Sequence, residues 1–78
     1  MNYYVNVSYK GNLDESKDKI IKNLDLQNNT GSGFCLMTKR RDFSFLYKSS
    51  DECKEKVKSF RKIIKENKIK VKVESFSI

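Results

Sequence analysis

The chain contains no histidine and no proline, and it has only three glycines and three arginines. Without histidine, catalysis by an imidazole general base and metal sites built on imidazole are both excluded. Its absence also leaves the cysteines without the base that usually activates a thiol nucleophile. Because proline is absent and glycine is rare, few positions force a break in a helix or strand.

The length of 78 residues indicates one small domain over residues 1–78. A chain of this size buries about 60–65% of the surface it exposes when unfolded, which excludes an enzyme with a cleft between two lobes. No segment approaches the roughly 18–20 apolar residues of a membrane span, and residues 1–6 lack the features of a signal peptide. We therefore expect a cytoplasmic protein with no membrane partner, or one in the host cytoplasm if a phage encodes it.

The charge is strongly positive, because 17 lysines and arginines outnumber 10 acidic residues, giving 17 − 10 = +7. Such a charge is typical of proteins that bind nucleic acid or another anionic partner. Most of it comes from lysine, whereas arginine is the better residue for paired contacts to phosphates and bases. A lysine-, asparagine- and isoleucine-rich composition also arises from an AT-rich genome, so both explanations stay open.

The two cysteines, Cys35 and Cys53, do not form a Cys-x-x-Cys pair and have no histidine nearby, so they match no zinc or redox motif. Two free thiols in a reducing compartment are the expected state. A bridge between them stays open, because the sequence does not give their distance.

Hydropathy patterns predict a strand and then a helix in the first third of the chain. Apolar and polar residues alternate over residues 3–9, as in a half-buried strand. Asn12 and Glu15 have the spacing of a capping box, and apolar residues at helical spacing follow over 13–24. The polar, glycine-bearing segment 27–33 then predicts a flexible loop.

Residues 33–39 and 42–48 predict a hairpin that turns at Arg40 and Arg41. With Lys39 opposite Asp42, the aromatic residues share one face. This register pairs Thr38 with Phe43, Leu36 with Phe45 and Phe34 with Tyr47.

A second helix and a last strand complete the pattern. Ser49 and Glu52 form a capping box, and apolar residues at helical spacing continue to about Asn67. The alternation over 69–74 then predicts a strand, with Phe76 and Ile78 on the same side as its lysines.

The order β-α-β-β-α-β predicts the fold class α+β, a ferredoxin-like sandwich in which two helices pack on one face of a four-stranded antiparallel sheet. The usual strand order of that fold is 4-1-3-2. This arrangement leaves the other face of the sheet without a helix.

Residues 41–48 resemble the octamer on the third strand of an RNA-recognition motif, which reads basic, glycine, aromatic, small, aromatic, aliphatic, variable, aromatic. Arg41, Phe43, Phe45 and Leu46 match it, and residues 49–55 resemble the entry to that family's second helix. The resemblance covers residues 41–56, with Asp42 in place of the glycine and Lys48 in place of the last aromatic. It implies that two outward rings stack on the bases of RNA or single-stranded DNA. The residues concerned would be Lys39, Arg40, Arg41, Phe43 and Phe45.

The alternation of the third strand predicts the opposite orientation for those rings. If they faced outward, Asp42, Ser44, Leu46 and Lys48 would face the helices, and two charged groups would be buried without partners. We therefore predict that Phe43, Phe45 and Tyr47 lie inside.

With this orientation, the open face of the sheet carries an apolar patch with lysines around it. Such a patch is typical of a surface that binds a protein partner or a second copy. The predicted contact residues are Tyr4, Met37, Leu46, Lys48, Lys70, Lys72 and Phe76, and Cys35 lies on the same face.

The sequence thus predicts a non-enzymatic binding module without metal, cofactor or small-molecule substrate. Protein–protein contact through the sheet face is the favoured function, and a regulator or a phage-type inhibitor of a nucleic-acid-processing machine would be of this size. Binding of RNA or single-stranded DNA is the alternative. The acidic residues at 14–18 are explained by helix capping, and neither the acylphosphatase loop nor the Cys-x-x-Cys of metal-carrying relatives follows the first strand.

Overall fold

Four strands and two helices follow one another in the computed structural model, which describes residues 2–77. The elements are β1 (Tyr3–Lys10), α1 (Glu15–Lys22), a short 3₁₀ turn (Leu26–Asn28), β2 (Asn29–Cys35), β3 (Arg40–Tyr47), α2 (Ser50–Glu66) and β4 (Lys72–Ser77). The strands form one sheet in the order β2-β3-β1-β4, and all three pairings are antiparallel. The α+β class with a four-stranded antiparallel sheet and two helices is confirmed.

One face of the sheet forms the core together with both helices. Alternate residues of β1 and β3 face inward, and they meet Ile21 of α1 and three residues of α2. The predicted orientation of the third strand is confirmed, because Phe43, Phe45 and Tyr47 are all at most 2% exposed. The buried residues are Val5, Val7, Tyr9, Ile21, Phe43, Phe45, Tyr47, Cys53, Phe60 and Ile64.

The first helix is shorter than predicted, and its cap is Asp14 rather than Asn12. The Asp14 carboxylate accepts from the backbone N–H groups of Ser16 and Lys17, and its own N–H donates to the buried Tyr9 hydroxyl at 3.1 Å. Gly11, with φ +114°, donates its N–H to the Lys39 carbonyl at 2.8 Å. These contacts hold the chain before residue 14 in a non-helical path.

The predicted loop over 27–33 is wrong, because most of it lies in β2. The predicted hairpin register is also wrong. The turn falls at residues 36–39, with Lys39 in the left-handed region at φ 51°, and Phe43 pairs with Ser32 instead of Thr38. A four-residue turn suits this chain because the arginine pair lacks the glycine or asparagine that a two-residue turn needs. The shift is six residues over 31–35, an even number, so Phe34 and Cys35 stay on their predicted faces. A bulge between Asn29 and Gly31 makes the shift seven at Asn29, and residues 36–39 leave the sheet for the turn.

The second helix agrees with its prediction, since Ser49 accepts from the Glu52 N–H and Asn67 ends the helix. Strand β4 begins at Lys72, later than predicted, while Ile69 and Val71 still pack against the core. Phe76 lies opposite Tyr4, as expected for the lysine side, and Ile78 lies outside the described residues. No helix within residues 2–77 has the length and apolar character needed to span a membrane.

Candidate functional site

The open face of the sheet, opposite the core, carries a row of three apolar side chains across three strands. Tyr4 of β1 pairs with Leu46 of β3 on one side and with Phe76 of β4 on the other. The Tyr4 and Phe76 rings stack, with centroids 5.3 Å apart and planes inclined by 15°. Phe76 is 44% exposed, while Tyr4 and Leu46 are half-buried. We call these three residues the apolar row.

The other end of the open face is charged and internally paired. Arg40 donates from Nη2 to Ser8 Oγ at 2.9 Å and lies 3.4 Å from Glu74 Oε1. Lys72 Nζ lies 3.5 Å from the same Glu74 oxygen. Between the two ends, Asn6 Oδ1 is buried and has no hydrogen-bond partner within residues 2–77. The open face therefore changes from apolar to charged along β1.

Met37 and Cys35 do not join the apolar row, so this part of the predicted patch is wrong. Met37 is 95% exposed in the turn between β2 and β3, and Cys35 precedes that turn. The turn meets the chain just beyond the end of β1, through the Gly11–Lys39 hydrogen bond. Because β1 rises about 3.3 Å per residue, the turn lies about 20 Å from Tyr4.

The predicted lysines do not gather around the apolar row. Lys48 lies at the apolar end, where its Nζ donates to Asn2 Oδ1 at 3.0 Å. Lys72 belongs to the charged end, and Lys70 is exposed before β4 begins.

The residues of the nucleic-acid alternative are separated by the fold. Phe43 and Phe45 are 2% and 0% exposed beneath the helices, so these rings cannot stack on bases while the domain is folded. Arg40 and Arg41 lie on opposite faces of the sheet, because Arg40 contacts Ser8 while Arg41 lies over the Phe43 ring. Lys39 lies exposed in the turn beside them. The five residues therefore form no common surface.

A groove of about 700 Å³ lies on the helix side of the sheet, beside the edge strand β2. Its lining consists of Asp18, Lys19 and Lys22 of α1, Leu26, residues 29–32 of β2, and Arg41 and Phe43 of β3. The groove exists because α1 is only eight residues long, about 12 Å, and the side chains of 30–32 are small. It leaves the start of β2 uncovered by a helix.

The floor of the groove holds a paired charge. Arg41 Cζ lies 4.5 Å from the centre of the Phe43 ring, and Arg41 Nε lies 3.4 Å from Asp18 Oδ2. Asp18 also accepts a hydrogen bond from Tyr9, and burial together with this bond raises the pKa of the Tyr9 phenol. Arg41 Nε is buried without a hydrogen bond within residues 2–77, since the contact to Asp18 has ion-pair distance but not hydrogen-bond geometry. The floor is therefore close to neutral.

A second carboxylate, that of the half-buried Asp25, joins the 3₁₀ turn to the core. Asp25 Oδ2 accepts from Tyr47 Oη at 2.9 Å and from Asn28 Nδ2 at 2.8 Å, and Lys56 Nζ lies 3.6 Å away. Burial alone would raise the pKa of Asp25, but the bonds from Asn28 and Tyr47 and the Lys56 charge outweigh it and lower that pKa. Burial and the bond to Asp25 hold the pKa of Tyr47 well above its usual range. We assign this network to stability.

The two cysteines are free thiols in opposite environments. Cys35 is exposed, and its pKa is lowered by hydrogen bonding from the Thr38 hydroxyl and from the N–H groups of Thr38 and Met37. Cys53 is 5% exposed in the core, and burial raises its pKa.

Iodoacetamide is expected to alkylate Cys35 at least about 100-fold faster than Cys53 in the native protein, because Cys53 must wait for the domain to open. Mass spectrometry of the digested protein at successive times measures both rates. In denaturant the two rates should converge, which serves as the control. Equal rates in the native protein would contradict the burial of Cys53.

Sequence reasoning assigned no binding role to Lys19 and Lys22. Their spacing places them on one face at the end of α1, and an edge strand without charged residues follows. The sequence did not predict that these lysines lie beside an edge strand, because residues 27–33 have the composition of a loop.

Within residues 2–77, no group of three or more Cys, Asp or Glu side chains is placed to hold a metal ion. Comparison of the chain with models of protein families, with curated proteins and with solved structures finds no match. Its function therefore has to be inferred from the surfaces described above.

Proposed function

We propose that this chain is a non-enzymatic binding module that acts by protein–protein contact through the open face of its sheet. The observation that carries the proposal is the apolar row, where two stacked rings and a leucine lie side by side across three strands. Apolar groups clustered in this way are typical of protein contact surfaces, in which aromatic residues are enriched. A regulator or inhibitor of a nucleic-acid-processing machine would use such a face.

The architecture that we propose is the ferredoxin-like sandwich. Read from the β4 edge, the strand order is 4-1-3-2, and the elements follow one another as β-α-β-β-α-β, apart from the short 3₁₀ turn. In this fold both helices bury one face of the sheet, so the opposite face is free for a partner.

The proposed partner has an apolar patch with acidic groups around it. Lys48 lies at the same end of the open face as the apolar row, where its Nζ donates to Asn2 Oδ1 at 3.0 Å. Complementary charge would orient the encounter and increase its rate. Two copies of a chain with net charge +7 repel each other, so an acidic partner is favoured over a second copy.

The burial of Phe43 and Phe45 is the reason for proposing a protein rather than nucleic acid as the partner. The two rings that the RNA-recognition resemblance requires on the outer face are in the core. The outer face offers Tyr4 and Phe76 instead, and these rings already stack on each other.

Photo-crosslinking tests this proposal. A benzophenone amino acid replaces Leu46 in one variant and Leu13, which is 59% exposed outside the open face, in a control. A protein that is crosslinked only from position 46 is then purified. Calorimetry measures the Kd of its complex with the unmodified chain. We expect Leu46→Glu/Phe76→Glu to weaken binding at least about tenfold and the matched Leu13→Glu/Met37→Glu to leave it within about twofold.

A nucleic-acid titration decides the alternative. Fluorescence anisotropy with random single-stranded RNA and DNA is measured at about 50 and 200 mM salt, where binding by charge weakens steeply. Micromolar binding that is lost in Leu46→Glu/Phe76→Glu but retained in the control would assign the open face to nucleic acid. Light scattering of the protein alone would show a dimer if the occupant is a second copy.

A further inference from the structure

Strand β2 is an open edge of the sheet. Its start is bulged between Asn29 and Gly31, where Asn29 Oδ1 accepts from the Gly31 N–H at 3.0 Å. The strand is seven residues long, and none of its residues is charged or is a proline. The other edge strand, β4, carries Lys72 and Glu74. An edge strand directs every second N–H and C=O away from the sheet, and proteins usually protect such groups with lysine, proline or a covering element. Beyond the bulge, the β2 edge is therefore available for backbone pairing.

The groove beside β2 carries positive charge that is not neutralised. Lys19 and Lys22 are exposed on one face of α1, and neither forms an ion pair within 4 Å with any residue of 2–77. The one carboxylate of the groove, Asp18, already contacts Tyr9 and Arg41. An incoming carboxylate would meet two free ammonium groups.

We propose that the β2 edge and this groove bind an extended acidic segment of a partner protein, which adds to the sheet as a further antiparallel or parallel strand. Backbone pairing with β2 holds the segment in extended form, as in other cases of strand addition. Because side chains of a strand alternate between faces, every second side chain of the segment lies on the groove side, and there acidic groups face Lys19 and Lys22.

The geometry favours a peptide over a nucleic acid in the groove. A phosphate backbone would be attracted by the same lysines, but it makes no use of a free strand edge. A groove of about 700 Å³ that runs beside the edge accommodates side chains of an added strand. The site lies on the helix side of the sheet, so the inference goes beyond the function proposed for the open face and does not depend on it.

The test is a titration of the ¹⁵N-labelled chain, observed by amide NMR, with a peptide of about eight alternating glutamate and valine residues. We expect saturable shifts in the amides of residues 29–35 and of α1, with those of the apolar row unchanged. In a control peptide of the same sequence, every second backbone nitrogen is methylated, so the peptide edge that would face β2 has no N–H donors. This peptide should not bind. An alternating lysine and valine peptide is the charge control.

Variants of the groove give the second readout. Lys19→Glu/Lys22→Glu should weaken peptide binding about tenfold, whereas Lys58→Glu/Lys62→Glu, an equal charge change on exposed positions of α2, should change it less than about twofold. If the charge-reversed variant does not fold, the neutral variant Lys19→Gln/Lys22→Gln replaces it in the same titration. Leu46→Glu/Phe76→Glu should bind the peptide normally, so failure of one proposal leaves the other standing.

Three results would overturn the inference. The first is no saturable shift at millimolar peptide, or shifts outside β2 and α1. The second is an equal loss of peptide affinity in the α1 and α2 lysine variants, or full binding of the N-methylated peptide. Either result would mean that the peptide is held by general charge attraction. The third is an oligouridylate that shifts the same amides at lower concentration than the peptide, which would assign the groove to nucleic acid.

Discussion

Replacing Phe45 by alanine is expected to lower the free energy of unfolding by about 3–5 kcal/mol. Phe45 is fully buried, pairs with Val5 in the sheet and packs against Phe60, with ring centroids 4.9 Å apart. The truncated side chain would leave a cavity between β3 and α2 that the surrounding structure cannot fill. A domain of this length has about 4–12 kcal/mol of stability in total, so the variant would lose a large part of it.

Urea unfolding followed by far-ultraviolet circular dichroism measures this loss. The midpoint should fall by more than about 1 M, given slopes of about 1–3 kcal/mol/M. Met37→Ala is the matched control, because Met37 is 95% exposed and its replacement should change stability by less than about 0.5 kcal/mol. If Phe45→Ala were as stable as the control and lost affinity for RNA, the ring would have to face outward and could not belong to the core.

The second large effect is expected at Asp25, where alanine should cost about 2–3 kcal/mol. Its carboxylate accepts hydrogen bonds from Tyr47 and Asn28, and the Tyr47 side chain is 1% exposed. Removing Asp25 therefore leaves a buried hydroxyl without its partner. Tyr47→Phe removes only the hydroxyl, so it should cost less, about 1 kcal/mol.

A double-mutant cycle of these two residues separates the hydrogen bond from the rest of the network. Asp25→Ala/Tyr47→Phe should be more stable than the sum of the single losses predicts, because no unpaired hydroxyl remains. Additive losses would show that the two side chains do not interact.

The same carboxylate makes stability depend on acid. The pKa of Asp25 is lower in the folded chain than the value of about 3.9 in the unfolded chain, so the charged form stabilises the fold. This contribution is complete well above pH 4 and is lost as the pH falls through the folded pKa. Unfolding in urea between about pH 6 and 3 should show a smaller loss for Asp25→Asn than for the wild type. Equal losses would contradict the assigned pKa direction.

The sequence alone determined the elements whose signals are local. Alternation placed β1 and oriented β3, since a strand can bury only one of its two faces and the other face of β3 carries charges. The Ser49 cap and the apolar spacing after it placed α2, because both signals act within one or two turns of helix. These elements gave the α+β class and placed Phe43 and Phe45 inside.

Contacts between distant residues decided the rest. The Tyr9 hydroxyl selects Asp14 as the first cap, and the turn at 36–39 determines the register of β2. Neither feature is visible in hydropathy, because each is held by a contact between separate parts of the chain. The Tyr9 hydroxyl bonds the Asp14 N–H, and the Gly11 N–H bonds the Lys39 carbonyl in the turn. The apolar row depends on the pairing of β1 with β3 and β4, whereas the groove depends on the register of β2 and on the short first helix. The surfaces to which we assign function therefore arise only when the sheet is assembled.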